Sequence, residues 1–130
     1  MENLNANTLA EVMRHCRDYP EYQAVIVMDE HARFLEFRNS MRQYLRNDED
    51  GNILSVSRAG IIKFKNGSYI RPVMADSGVR RLCAHEIVFD DGVEDKTSIS
   101  ARIRKLVYHC CEETEKPVTL DEFLNEFKIL

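Results

Sequence analysis

The sequence predicts a single three-layer α/β domain with a mostly parallel sheet extended by a β-hairpin. Three observations predict it. Amphipathic segments with the helical period alternate with short, nearly all-apolar runs, QAVIVM at 23–28 and IVF at 87–89, which suit strands buried on both faces. Asn66-Gly67 divides two further apolar-rich runs, the strongest local signal for a tight hairpin. No long linker, internal repeat or low-complexity segment divides the 130 residues, a length that gives one domain a real core.

Taken in order, Thr8-Leu9-Ala10-Glu11 reads as a capping box with Thr8 at the N-cap. It opens a helix to about Tyr19 with Leu9, Val12, Met13 and Cys16 as the apolar stripe, and Pro20 closes it. The run 23–28 is a buried strand. Asp29 or Glu30 begins a second helix over about 31–46. Phe34, Phe37 or Arg38, Met41, Tyr44 and Leu45 recur there at helical spacing. Its polar face carries Arg33, Arg38, Arg42 and Arg46 and reads as a solvated basic surface. The acidic cluster 47–51 is a turn without the spacing of a calcium loop.

Residues 53–57 alternate as a strand. Residues 61–65 and 69–73 are the hairpin arms, with Phe64 facing Tyr69 across a two-residue loop. Pro72 places the second arm at an edge or ends it. A loop over 75–84 contains Gly78 and the pair Arg80-Arg81, and 86–90 is the next strand. After a polar loop over 92–96, Thr97 or Ser98 caps a third helix to about Glu113, with Ile99, Ile103, Leu106, Val107 and Cys110 on one face. Pro117 breaks the chain. Thr119-Leu120-Asp121-Glu122 opens a short last helix bearing Leu120, Phe123, Leu124 and Phe127.

An apolar fraction of 44% with 31% charged residues is that of an ordinary globular protein. A net charge of −4, spread over both signs, does not support a generic nucleic-acid binder, though it leaves room for a local basic patch. The first residues lack the basic and apolar regions of a signal peptide. No apolar run approaches the ~18 residues that cross a membrane. The cysteines at 16, 83, 110 and 111 form no secreted framework and read as reduced thiols in a cytoplasm.

The stretch IIKFKNGSYIRPV followed by SGVRRLCAHEIVFDD resembles the ATPase core of phage terminase large subunits and related superfamily helicases. That resemblance covers about 8–91. It implies that Ile87-Val88-Phe89-Asp90-Asp91 is a Walker B strand, that Asp90 lies near the metal of a bound nucleotide, and that Asp91 stands where the family has its catalytic Glu. Arg80 matches the family's arginine, and Arg81 replaces its glycine. The chain departs from the family at the phosphate-binding loop. No Gly-x-x-x-x-Gly-Lys-Ser/Thr run is present, so the glycines and the lysine that surround a triphosphate are missing. At the expected place stands Asn5-Ala6-Asn7-Thr8. Thr8 occupies the metal-ligating position and Asn7 the place of the lysine. The seven residues before Thr8 leave no room for a preceding strand. The resemblance therefore implies a pared-down, non-hydrolysing relative.

Other constellations compete. Cys83 and His85 with His109, Cys110 and Cys111 supply soft ligands for zinc but lack the usual spacing. Cys83 or Cys111 could act as a nucleophile with a histidine, yet neither is marked as activated. Asp90 and Asp91 with Glu94 and Asp95 could hold magnesium for a nuclease-like reaction, or form a solvated acidic loop. Arg71, Arg80, Arg81, Arg102 and Arg104 could gather phosphates, with surface salt pairing as the default.

The leading expectation is a small phage- or mobile-element-like protein that binds rather than hydrolyses, with no cofactor beyond magnesium at Asp90. Its partner would be a protein or a phosphorylated ligand, with a homo-oligomer among the expected states. The alternatives are a metal-dependent phosphoryl-transfer or nuclease enzyme centred on Asp90 and Asp91, and a protein-interacting inhibitor or assembly factor.

Overall fold

The computed structural model describes residues 2–48, 51–75 and 82–107. The elements in chain order are β1 (Glu2–Asn3), α1 (Ala6–Asp18), β2 (Gln23–Met28), α2 (His31–Arg46), β3 (Ile53–Val56), β4 (Ile62–Phe64), β5 (Tyr69–Met74), β6 (Cys83–Ala84), β7 (Glu86–Phe89), α3 (Lys96–Arg102) and β8 (Arg104–Lys105). Six strands form one sheet in the order β1-β7-β2-β5-β4-β3. The neighbours β1, β7, β2 and β5 run parallel, whereas β4 is antiparallel to both β5 and β3. The sheet is therefore mixed, which corrects the expectation of a mostly parallel one. The hairpin is not an appendage, because its second arm β5 pairs directly with β2 in the body of the sheet. A second, two-stranded ribbon pairs β6 with β8 in parallel.

Burial follows the apolar pattern of the strands. Val25, Val27, Ile87 and Phe89 face one side of the sheet and pack with Ile99 and Ile103. Ala24, Ile26, Met28 and Val88 face the other side, where Val12, Met13 and Cys16 of α1 and Phe37 and Met41 of α2 cover them. The runs 23–28 and 87–89 are apolar throughout because both faces are covered.

Several local expectations are corrected. Helix α1 begins earlier than the capping box suggests. Asn5 is its N-cap, and the Asn5 Oδ1 accepts the Thr8 N–H at 2.9 Å. A strand does precede α1: β1 pairs with β7 through Glu2↔Val88 and Asn3↔Phe89. The hairpin loop has three residues, not two. Phe64 N–H donates to Ser68 O at 2.9 Å, Gly67 N–H donates to Phe64 O at 3.1 Å, and Gly67 takes φ +89. That geometry pairs Tyr69 with Lys63, while Phe64 pairs with Ile53 on the far side.

Asn66 matters for a second reason. Its amide donates to the carbonyls of Cys16 at 2.7 Å and Arg17 at 3.1 Å, closing the end of α1. Pro72 sits in the middle of the sheet rather than at its edge. Tyr69 and Ala75 donate to Tyr22 O and Met28 O of the β2 side, so alternate residues aim their N–H at β2. Pro72 falls on the other parity, facing β4. The β4 ladder reaches only to Ile70, so no N–H is needed at Pro72.

The third helix is shorter than its period implies. It ends at Arg102, and the chain turns extended through Ile103 into β8. Of the stripe expected there, Ile99 and Ile103 are buried but Val107 is 51% exposed. Cys110 and the last helix lie outside the described residues.

Candidate functional site

Strands β2 and β7 lie side by side and run parallel, yet the chain leaves their carboxyl ends toward opposite faces. After Met28 it enters α2 on the α1 side. After Phe89 it passes to α3 on the opposite side. Such a divergence opens a crevice at the carboxyl rim, the place where open α/β sheets bind ligands. Asp90 stands there, the first residue past β7. Its N–H donates to Val27 O at 2.9 Å and its side chain is almost fully buried.

An ion pair spans this rim. Arg33, in the first turn of α2, places Nε 3.0 Å from Asp90 Oδ2 and Nη2 2.9 Å from Asp90 Oδ1. Arg33 Nη1 reaches Glu36 Oε2 at 3.2 Å. The two-pronged contact holds the Asp90 carboxyl below its usual range, outweighing a burial that acts the other way; the Asp91 backbone N–H adds to the lowering. The Arg33 guanidinium is held more firmly protonated for the same reason. With both oxygens committed to Arg33, Asp90 stands as one half of a fixed pair. A cation could bind it only by displacing or sharing the guanidinium. Asp91 is exposed beside it.

The remaining expected residues fall as follows. Thr8 is on the same rim, because β1 ends beside Phe89 and Leu4 N–H donates to Phe89 O at 2.7 Å. Only Leu4 and Asn5 connect β1 to α1, and the Thr8 hydroxyl donates to Asn5 Oδ1 at 3.2 Å. This turn is too short to wrap a phosphate chain, and its capping amide already holds the Thr8 N–H. Arg80 and Arg81 lie outside the described residues, as do His109, Cys110 and Cys111. Glu94 and Asp95 belong to the loop before α3, with Glu94 exposed at its outer edge. Among the described residues no three His, Cys, Asp or Glu side chains converge to hold a metal. A metal at Asp90 would need ligands from elsewhere.

The amino ends of the strands carry a polar cluster that no motif announces. Glu86 Oε1 lies 2.9 Å from His15 Nδ1 and accepts the Tyr22 hydroxyl at 3.0 Å. The Tyr22 ring stacks on His85 with centroids 5.1 Å apart. His85 Nδ1 accepts the Gln23 N–H at 2.9 Å, so that nitrogen is turned inward to the backbone rather than toward a zinc site. Burial pushes the His85 pKa down to about 4, and burial beside Glu86 pushes the Tyr22 hydroxyl up. Ser68 ties the same end to the hairpin by accepting the Tyr22 N–H at 2.9 Å and donating to Tyr19 O at 2.7 Å. The sequence signal is a histidine next to a strand; the pairs that build the cluster span 62 and 71 positions.

The fold and the rim define a mixed α/β protein whose switch-point acid is neutralised by an arginine of the adjoining helix. Compared with protein-family models, with curated proteins and with solved structures, the chain matches none. No helix among the described residues is long and apolar enough to cross a membrane.

Proposed function

We propose that this chain is a non-hydrolysing binding protein, of the phage- or mobile-element kind, built on a three-layer core like that of the packaging ATPases. The observation that carries the reading is the Arg33–Asp90 pair. In a nucleotide-hydrolysing site the acid at the end of this strand must be available to a metal ion and its waters. Here both its oxygens are engaged by a guanidinium within 3.0 Å. The short turn ahead of α1 supports the same reading, since it has no glycine-rich backbone with which to surround phosphates. On this reading the acid at the rim is part of a structural clasp between β7 and α2, and the protein acts through contacts with a partner.

The test is a melting experiment with millimolar ATP and magnesium, together with a phosphate-release assay. The expected result is an unchanged melting temperature and no release of phosphate. Phosphate release that Asp90→Ala abolishes would overturn the proposal in favour of the phosphoryl-transfer enzyme centred on Asp90 and Asp91, whereas a rise in melting temperature without release would make a nucleotide the bound ligand.

A further inference from the structure

The sheet face opposite α1 and α2 is unevenly covered. Over β2 and β7 it packs against Ile99, Ile103 and the β6–β8 ribbon. Over β3 and β4 the cover is thinner, and Leu54 is 62% exposed there. Leu54, Lys63, Lys65 and Tyr69 line a shallow concavity of about 370 Å³ on that surface. Lys63 and Tyr69 are register partners, which fixes them side by side. Arg71 shares the face two residues on, with its guanidinium 5.5 Å from the centre of the Tyr69 ring.

Among the described residues this charge has no ion-pair partner, with Lys65 Nζ lying against Gly51 of the turn before β3. The ion pairs among the described residues join Arg14, His15 and Arg33 to acids, and none involves Lys63, Lys65 or Arg71. Arg71 Nε is buried without an acceptor among those residues. Cations grouped around an exposed leucine match an acidic segment that also presents an apolar side chain. They match nucleic acid less well. Sequence-tolerant binding of single strands relies on open aromatic faces for stacking, and the Tyr69 ring is already shared with Arg71, its hydroxyl donating to Gln23 Oε1 at 2.8 Å.

We infer that the exposed face of β3 and β4 docks an acidic protein segment of a partner, whose carboxylates meet Lys63 and Lys65 and whose apolar residue covers Leu54. The surface is separate from the Asp90 rim, and this inference stands or falls independently of the nucleotide experiment.

Fluorescence anisotropy on the full chain tests it with three labelled probes: a peptide of repeating Glu-Glu-Leu-Phe, the same peptide with lysine for glutamate, and an oligothymidylate of similar length. The expected result is binding of the acidic peptide alone, weakened by salt and reduced roughly tenfold or more by Lys63→Glu with Lys65→Glu. Leu54→Ser, an exposed change that leaves folding intact, is expected to weaken it several-fold at unchanged salt dependence. Three results would each overturn the inference. One is no binding of the acidic peptide by the folded chain. Another is oligothymidylate binding as tight as that of the acidic peptide and lost in the same charge-reversed variant, which would make the face a nucleic-acid surface. The third is a dimer on sizing that the charge reversal dissolves, which would make it an interface between copies.

Discussion

Replacing Arg33 by methionine keeps most of the aliphatic stem and removes the charge from the rim. Asp90 would then be left buried with neither of its guanidinium contacts, at 3.0 and 2.9 Å. Breaking a fully buried ion pair by removing one partner costs about 3–5 kcal/mol. Arg33 has 48% of its side chain exposed, so water reaches its side of the pair and the lower range of a charged hydrogen bond applies, about 1.5–3 kcal/mol. For a domain of this size that is a fall of roughly 6–10 °C in melting temperature.

The pH dependence is the sharper test. In the native chain the Asp90 pKa lies below the ordinary 3.8, so its contribution is present above that pH and is lost as pH falls through the folded value. Without Arg33 only burial remains as a large influence, and it pushes the carboxyl up. The penalty in Arg33→Met is then full at neutral pH, begins to shrink as pH falls through the variant's raised folded value, and is gone only below the native folded value, which lies under 3.8. Thermal melts from neutral pH to well below pH 3.8 should show the gap between native and variant protein constant at first and then closing. The double variant Arg33→Met with Asp90→Asn should cost less than the two single changes added. Equal melting temperatures at neutral pH, or a gap that stays constant with pH, would refute the reasoning.

Two further changes probe the rest of the frame. His85 titrates near pH 4 when folded against 6.5 when free, so stability should fall as pH drops between those values, by up to about 3 kcal/mol. His85→Gln, followed by urea titration above and within that window, should flatten the slope. Gly60 takes φ +79, and a Cβ there would meet the Phe34 ring at 2.8 Å and Pro72 Cγ at 2.9 Å. Gly60→Ala should therefore lower the urea midpoint by the equivalent of about 2–3 kcal/mol with little change in slope.

What the sequence reveals is set by how local each cause is. The runs at 23–28 and 86–89 announce themselves because burial on both faces forces nearly every position apolar. The second helix is legible at both ends because its period runs unbroken from His31 to Arg46. The third helix is overestimated by periodicity because Ile99, Ile103 and Leu106 keep the helical spacing after the chain has left the helix. What diverts it is pairing of Arg104 with Cys83, a contact between separate segments that periodicity does not carry. Asn66-Gly67 marks the turn, but the register depends on Gly67 lying inside a three-residue loop. The site divides in the same way. Asp90 at the end of a strand is visible, whereas Arg33 is one arginine of four on a helix face. Its partner lies 57 residues on, and only the sheet order brings them together.

The placement of charge bears on what kind of protein this is. General acid–base catalysis works best with a group whose protonation changes near the working pH. Asp90, His85 and Tyr22, three of the titratable groups drawn into the interior, are held away from it. Asp90 is kept ionised by Arg33, His85 is kept neutral down to about pH 4, and Tyr22 is kept protonated above its normal range. Each also makes a hydrogen bond to another segment, so its effect is to join one element to the next. The lysines left without acids among the described residues on that sheet face, Lys63 and Lys65, line a surface concavity. Interior charge fixed for architecture and lysines turned outward are what the proposed binding role calls for. For that reason surface reversals at Lys63 and Lys65 should change its associations while leaving its melting temperature nearly unaltered, and changes at Arg33 and Asp90 should do the opposite.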